Sequence, residues 1–232
     1  MNLGPHHAPL IATKLKDSAV LSMNIRDNNL GPKGAAAIAE ALKSGSSVLT
    51  DLNLSGNQLC GVNWLGIGTY DLSGIEALAA ALGSGSAVLT VLNLSNNYLK
   101  AKAGVKLASA LRVNAVLKSI NLSNNYLDAE AGVALASALK VNAVLTDLNL
   151  KSNNLDLTGA VAIAEALKSG SSVLKSLDLS FNLLGAEAGK ALVSELNGNN
   201  VLTAIGIYGN DFDMQVIDDF RQQIPALSIL SR

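Results

Sequence analysis

Apolar positions along this chain alternate between two spacings. One is a short every-other-residue pattern, as in Leu52 and Leu54 around Asn53, which sends both leucines to one face of a strand. The other is helical, as in Val133, Leu135, Ala136 and Leu139. The two follow one another in strict succession. VLTDLNLSGNQL begins at Val48, VLTVLNLSNNYL at Val88 and VLKSINLSNNYL at Val116. VLTDLNLKSNNL begins at Val144, VLKSLDLSFNLL at Val173 and VLTAIGIYGNDF at Val201, and a weaker copy, AVLSMNIRDNNL, at Ala19. All seven fit the frame LxxLxLxxNxL. Between them lie Ala-rich helical segments such as GAAAIAEALKSG from Gly34, AGVALASALKVN from Ala131 and GAVAIAEALKSG from Gly159. Asn or Gly at Asn114, Asn142 and Gly170 suits helix C-caps.

The frame asparagine falls at Asn28, Asn57, Asn97, Asn125, Asn153, Asn182 and Asn210, so successive spacings are 29, 40, 28, 28, 29 and 28. In-phase repetition at this period means a solenoid. The asparagine stands where the chain leaves the strand. Its amide both donates and accepts, which suits the backbone groups a turn leaves unpaired, and stacked copies predict a structural asparagine ladder. Strands stack roughly 4.8 Å apart and helices roughly 8–10 Å apart, so one strand and one helix per repeat bend the stack by roughly 20–25° per step. The prediction is an open arc with a parallel sheet on the concave face and helices on the convex face.

The strand frame, the 28/29 spacing and the Gly-Ala-x-x-Ile-Ala-x-Ala-Leu helix resemble the ribonuclease-inhibitor-like class of leucine-rich repeats. The resemblance covers roughly residues 19–224. It implies an α/β leucine-rich-repeat solenoid, a right-handed horseshoe of about seven repeats. The class includes ribonuclease inhibitor, the Ran GTPase-activating protein and the repeat regions of NOD-like receptors. Ribonuclease inhibitor is cysteine-rich, and this chain has one cysteine, Cys60. The Ran activator ends in an acidic tail, and this chain ends SILSR. The domain expectation is an N-terminal segment with a partial capping helix over 1–18, the repeat domain over 19–224 with an insertion at about 60–72, and a C-terminal cap over 225–232.

Composition narrows the function. A net charge of −1 supplies no basic surface for phosphates, which argues against nucleic acid and an anionic membrane. Aromatics are only 3%, so each is informative. A lone cysteine, no recognisable signal peptide and no long apolar run lead to the expectation of a cytoplasmic protein. The sequons at Asn53, Asn93 and Asn121 are absorbed by the repeat frame. Gly66-Ile67-Gly68 lacks the Lys-Ser/Thr of a phosphate loop, and Cys60 has no histidine base near it in sequence. The adjacent His6 and His7 make a poor metal site. No cofactor, metal or catalytic residue is therefore expected.

The expected function is a non-enzymatic scaffold that binds a protein partner through its concave face and the loop carrying Trp64. The alternatives that the resemblance implies are a GTPase-activating protein, for which Arg26 is the strand-face arginine, and a fragment of a NOD-like receptor. The concave face reads as a Ser/Asn surface, and its asparagine row is expected to hydrogen-bond to itself. Charged and aromatic interruptions of that surface are the candidate contacts, since hot spots favour Trp, Tyr and Arg. They are Arg26, Asp51, Trp64, Tyr70, Tyr98, Tyr126, Lys151, Asp178, Phe181 and Tyr208. Tyr98 and Tyr126 are expected to stack. A monomer is the expected state, with an end-to-end homodimer as the alternative.

Overall fold

A computed structural model describes residues 3–17, 19–63, 65–168, 172–224 and 227–229. After a single 3-10 turn, Pro5–His7, the chain runs α1 (Ala8–Asp17), β1 (Ser22–Asn24), α2 (Gly31–Lys43), β2 (Asp51–Asn53), α3 (Ser73–Gly83) and β3 (Val91–Asn93). It continues α4 (Lys100–Leu111), β4 (Ser119–Asn121), α5 (Ala129–Leu139), β5 (Asp147–Asn149), α6 (Leu157–Lys168) and β6 (Ser176–Asp178). It closes with α7 (Gly185–Leu196), β7 (Ala204–Gly206), α8 (Met214–Gln223) and the two-residue β8 (Ser228–Ile229). Among the described residues the strands form one open parallel sheet in chain order. Every pairing is in the register of the repeat frame, as in Leu52 with Leu92 and Leu92 with Ile120.

Strands β1 to β7 are only three residues long because the frame has one buried position within each and one just after. Leu52 and Leu54 are fully buried, as are Leu49 before them and Leu59 after the turn. Across the core stand the inner faces of the helices, for instance Ile38 and Leu42 of α2 and Leu135 and Leu139 of α5. At full burial each Leu or Ile contributes about 1.5–3 kcal/mol relative to exposure. Phe220 is the large aromatic of this core, and it lies in α8, beside the end of the sheet.

Neighbouring helices pack in close contact. Gly104 and Gly132 make this possible. A Cβ on Gly104 would stand 2.7 Å from Ala131 Cβ, and one on Gly132 would stand 2.8 Å from Gly159 Cα. Several helices also have defined starts. Asp128 accepts from Ala131 N–H, Asp156 from Thr158 and Gly159 N–H, and Asp213 from Val216 N–H.

A second set of polar anchors lies at the opposite edge, where helix returns to strand. Asn114 Nδ2 donates to Leu82 O at 2.7 Å, while its Oδ1 accepts from Val116 and Leu117 N–H. Asn142 and Asn199 repeat the arrangement on Leu111 O and Leu167 O. Asn114 and Asn142 thus do more than end a helix, because they tie each repeat to the one before. Gly170 lies outside the described residues.

Candidate interaction surface

The frame asparagines are taken up by backbone hydrogen bonds. Asn97, fully buried, donates from Nδ2 to Leu54, Leu94 and Ser95 carbonyls, all at 3.0 Å. Its Oδ1 accepts from Asn57 N–H at 2.9 Å. Asn57, Asn125, Asn153, Asn182 and Asn210 bond in the same manner, and Asn28 accepts from Leu3 N–H and donates to Ile25 and Arg26 carbonyls. Each side chain therefore joins two or three consecutive turns, and that explains its place in every repeat.

The concave row behaves differently from the expectation of a self-bonded ladder. Asn53, Asn93, Asn121 and Asn149 each accept through Oδ1 from the N–H two residues on, at Ser55, Ser95, Ser123 and Lys151. This local turn fixes the side chain before a neighbouring repeat can compete for it. Asp178 takes the same role on Ser180 N–H, and Gly206 next to it leaves room for the carboxylate, since a Cβ there would fall 2.1 Å from Asp178 Oδ1. Asp147 and Asp178 flank a shallow concave recess of about 260 Å³ with Asn121 and Asn149. Asp51 is half-buried on β2, two strand positions from the edge of this recess.

Aromatic side chains gather at the edge where strand turns to helix. Tyr98 and Tyr126 stack with ring centroids 5.1 Å apart, and Phe181 meets Tyr208 edge-on at 5.3 Å. Lys151 Nζ lies 5.2 Å from the Phe181 ring centre. Tyr98, Tyr126 and Phe181 all hold left-handed backbone, at φ 55°, 57° and 55°. That conformation is uncommon for bulky residues and costs about 1–3 kcal/mol. Gln58, Asn96, Asn124 and Ser152 hold it at the same frame positions, so it belongs to the repeat turn, and what is particular here is the aromatic side chain. Tyr126 is 49% exposed and Phe181 43%. Burial, and then the facing Tyr126 phenol, push the Tyr98 phenol above its ordinary value.

The insertion folds beside this strip. Val62 and Gly68 pair in an antiparallel bridge, Asn63 N–H donates to Ile67 O at 3.0 Å, and Asn63 Oδ1 accepts from Leu65 and Ile67 N–H. Gly68 has to be glycine, since a Cβ would stand 2.0 Å from Gly61 O. The hairpin leaves Leu65 and Ile67 exposed, at 59% and 65%. Leu65, Val62 and Gly66 form one wall of a groove of about 560 Å³, and Tyr98, Tyr126 and Lys100 form the other. Past the same two tyrosines a second recess, about 380 Å³, runs on to Phe181 and Leu183. Trp64, the candidate that drew attention to this loop, lies outside the described residues.

Tyr70 anchors the base of the insertion. Its hydroxyl donates to Leu99 O, and Lys100 Nζ sits 5.2 Å from its ring centre. Cys60 is buried beside it, and burial pushes the thiol from an ordinary 9.0 up to about 12. A thiol so held is a packing group, not a nucleophile. Arg26 is exposed on the first repeat with Nε 3.5 Å from Asp27, two strands from the Tyr98 repeat, and Asp27 shares a recess of about 390 Å³ with Tyr98. His6 and His7 contact each other through their rings, and His7 Nδ1 accepts from Gly4 N–H. Among the described residues no cluster of three or more His, Cys, Asp or Glu could hold a metal, and no helix is long and apolar enough to cross a membrane.

The structure thus brings together Tyr98, Tyr126, Phe181, Tyr208 and Lys151 on one edge, and leaves Arg26, Asp51 and Tyr70 away from it. Sequence reasoning did not pick Leu65, Ile67, Lys100 or Leu183 as surface contacts. The alternation of Leu65 and Ile67 about Gly66, outside the repeat frame, was the available signal.

In-register parallel strands, one helix per repeat and an asparagine at each turn, buried in five of the seven, make this an α/β leucine-rich-repeat solenoid. A leucine-rich-repeat family model matches residues 20–39, 141–164 and 170–193. Among solved structures the chain is similar to the actin-binding site 2 domain of leiomodin-1, with 21% identity and a TM-score of 0.52. That match covers 67% of this chain and 88% of the other. A search of curated proteins found no match.

Proposed function

We propose that this protein is a non-enzymatic scaffold that binds a protein partner along its strand-to-helix edge, with the concave face adjoining. The observation that carries this reading is the run of aromatic rings at Tyr98, Tyr126 and Phe181, half-buried at Tyr98 and exposed at the other two. The frame of a leucine-rich repeat needs no aromatic there. The corresponding positions of other repeats hold residues such as Gln58, beside Tyr98 in the stack, and Ser152 and Gly209, on either side of Phe181. Placing Tyr or Phe where short polar residues or Gly fit better costs conformational energy, and partner contact is the compensating gain. The concave face adds Asp147, Asp178 and Lys151 as a charged border that sets partner orientation. Likeness to the leiomodin domain supports the scaffold architecture, and leaves the choice of partner to the surface chemistry.

The test compares immobilised wild-type chain with a Tyr98→Asn/Tyr126→Asn/Phe181→Asn variant in the same cell extract. Asparagine tolerates left-handed backbone, so circular dichroism should show the fold retained. Proteins held by the wild type and lost by the variant support the reading. Identical retention by both places the partner surface elsewhere.

A further inference from the structure

The edge opposite the tyrosines, where each helix returns to its strand, carries an apolar pair that the repeat frame does not require. Val113 and Val141 follow α4 and α5 in adjacent repeats and are 68% and 55% exposed. Ala115 and Ala143 beside them are exposed as well. The equivalents of the two valines in other repeats are Ser44, Ser84 and Gly198, so the turn closes equally well without an aliphatic side chain. Residues 169–171, at the corresponding turn after α6, lie outside the described residues, and the patch is taken to end at Val141.

Both valines stand on fixed turns. Asn114 and Asn142 are buried, donate to Leu82 O and Leu111 O of the preceding repeat, and accept from the amides that lead into the next strand. The Val113 and Asn114 amides bond Ala110 O, and the Val141 and Asn142 amides bond Ala138 O. With these groups used, a partner gains no ladder by adding as a strand, and a backbone that satisfies itself, as a helix does, fits better. Turns held in this way lose little freedom on binding.

The charge around the valines is positive. Arg112 and Lys140 precede them, and Lys118 stands just before β4; all three are exposed, and none forms an ion pair among the described residues. Glu130 lies in the first turn of α5, at the far end of that helix. Asp147, exposed at the start of β5, is on the near edge and counts in full, so three cations face one carboxylate. The C-terminal ends of α4 and α5 add about half a negative charge each, which leaves a surplus of about one positive charge. The flanking helices do not alter it. Lys106 pairs with Glu76, and Lys168 and Lys175 are matched in number by Glu165 and Glu195. The net charge of −1 conceals this local surplus, because only the fold gathers the three cations.

Spacing narrows the occupant. Packed helices such as α4 and α5 lie about 8–10 Å apart, so the two valines recur at about that interval. Seven residues of an α-helix advance about 10.5 Å. Leucines seven apart on one helix face match the two valines. Glutamates on the two flanks of that face meet Arg112 and Lys140 on the helix side and Lys118 on the strand side. We infer that the helix-return edge at Arg112–Val113, Lys118 and Lys140–Val141 is a second interaction surface, which binds an acidic amphipathic helix of a partner protein. It is separate from the tyrosine edge and stands or falls independently of it.

Fluorescence anisotropy with the full chain tests it. The probe is a fluorescein-labelled 18-residue peptide with leucines at helical spacing on one face and glutamates on both flanks. A second probe carries lysines in place of the glutamates. The expected result is saturable binding of the acidic probe and about tenfold or weaker binding of the basic one. Val113→Ser/Val141→Ser, which installs the serine of other repeats, should lower affinity for the acidic probe by about tenfold or more. Arg112→Glu/Lys140→Glu should exchange the preference between the probes, and Tyr98→Asn/Tyr126→Asn should leave binding unchanged. Equal binding of both probes, affinity unchanged in the valine variant, or no saturation at millimolar concentration overturns the inference. Loss of binding in the tyrosine variant overturns it too, by moving the site to the other edge. So does tighter binding to phosphatidylserine vesicles than to the peptide, lost in the valine variant, which would make the edge a lipid contact.

Discussion

Removing the side chain of Asn125 separates the two asparagine rows by their energetics. Asn125 is fully buried. Its Oδ1 accepts from Asn97 N–H at 2.8 Å, and its Nδ2 donates to the carbonyls of Leu94, Leu122 and Ser123 at 2.9, 3.0 and 3.1 Å. In Asn125→Ala the Asn97 N–H loses its acceptor inside the core, which costs about 1–3 kcal/mol. The carbonyls fare better, because Leu94 O keeps Asn97 Nδ2, Leu122 O keeps Asn153 Nδ2 and Ser123 O keeps Asn96 N–H. Their share is the loss of two donated protons, about 1 kcal/mol each. The total is about 3–5 kcal/mol. At roughly 2–4 °C per kcal/mol for a chain of this size, Tm should fall by about 6–20 °C. Asn53→Ala provides the contrast. Asn53 is half-buried and only caps a local turn on Ser55, so solvent replaces it at about 1 kcal/mol or less. Thermal and urea denaturation followed by circular dichroism measure both. Equal losses in the two variants would refute the assignment of the buried row to cross-repeat bonding and of the concave row to local turns.

Other expectations follow from single contacts. Gly132→Val should destabilise by about 1–3 kcal/mol by driving α5 and α6 apart, read as a lower urea midpoint, because even a Cβ would lie 2.8 Å from Gly159 Cα. Cys60 should resist a thiol reagent at pH 8 in the native protein and react fully in denaturant; rapid native labelling would contradict its burial. The native thiol binds its proton more tightly than the unfolded one, so unfolding releases a proton at alkaline pH. Stability should therefore be insensitive to this group below pH 9.0 and fall as pH climbs from there toward about 12, measured by urea midpoints across that range, with Cys60→Ala flattening the slope. Tyr98→Asn should change stability by no more than about 1 kcal/mol, because relief of left-handed strain offsets the lost stacking on Tyr126, while partner retention falls. A large stability loss there would make the tyrosine pair structural.

The repeat frame made most of the architecture legible. Alternation at Leu52 and Leu54 marked the strand and its buried face, and the spacing of the frame asparagines set the in-register stack. The seven frame asparagines bond as that frame requires. Both patterns are local in sequence and repeat with a fixed period, so each repeat reinforces the same reading. Tyr98 and Tyr126 stack because equivalent positions of adjacent repeats become neighbours in space.

Other features depended on competition between local and cross-repeat bonds, which a sequence does not rank. Asn53 and its equivalents bond to their own chain two residues on, because that closure fixes fewer degrees of freedom than bridging to a neighbour. Asn114 and Asn142 looked like simple helix ends, and their links to the preceding repeat, shared by Asn199, exist only once the helices are stacked. The insertion is the clearest case. Its composition announced an irregular loop, but only packing decided that Tyr70 would turn inward on Leu99 and that Leu65 would face the tyrosine stack. The chain alone determined the solenoid and its period, because both arise from a pattern repeated within every 28 or 29 residues. The tertiary structure decided the groove, because its walls come from an insertion in one repeat and side chains of the next two.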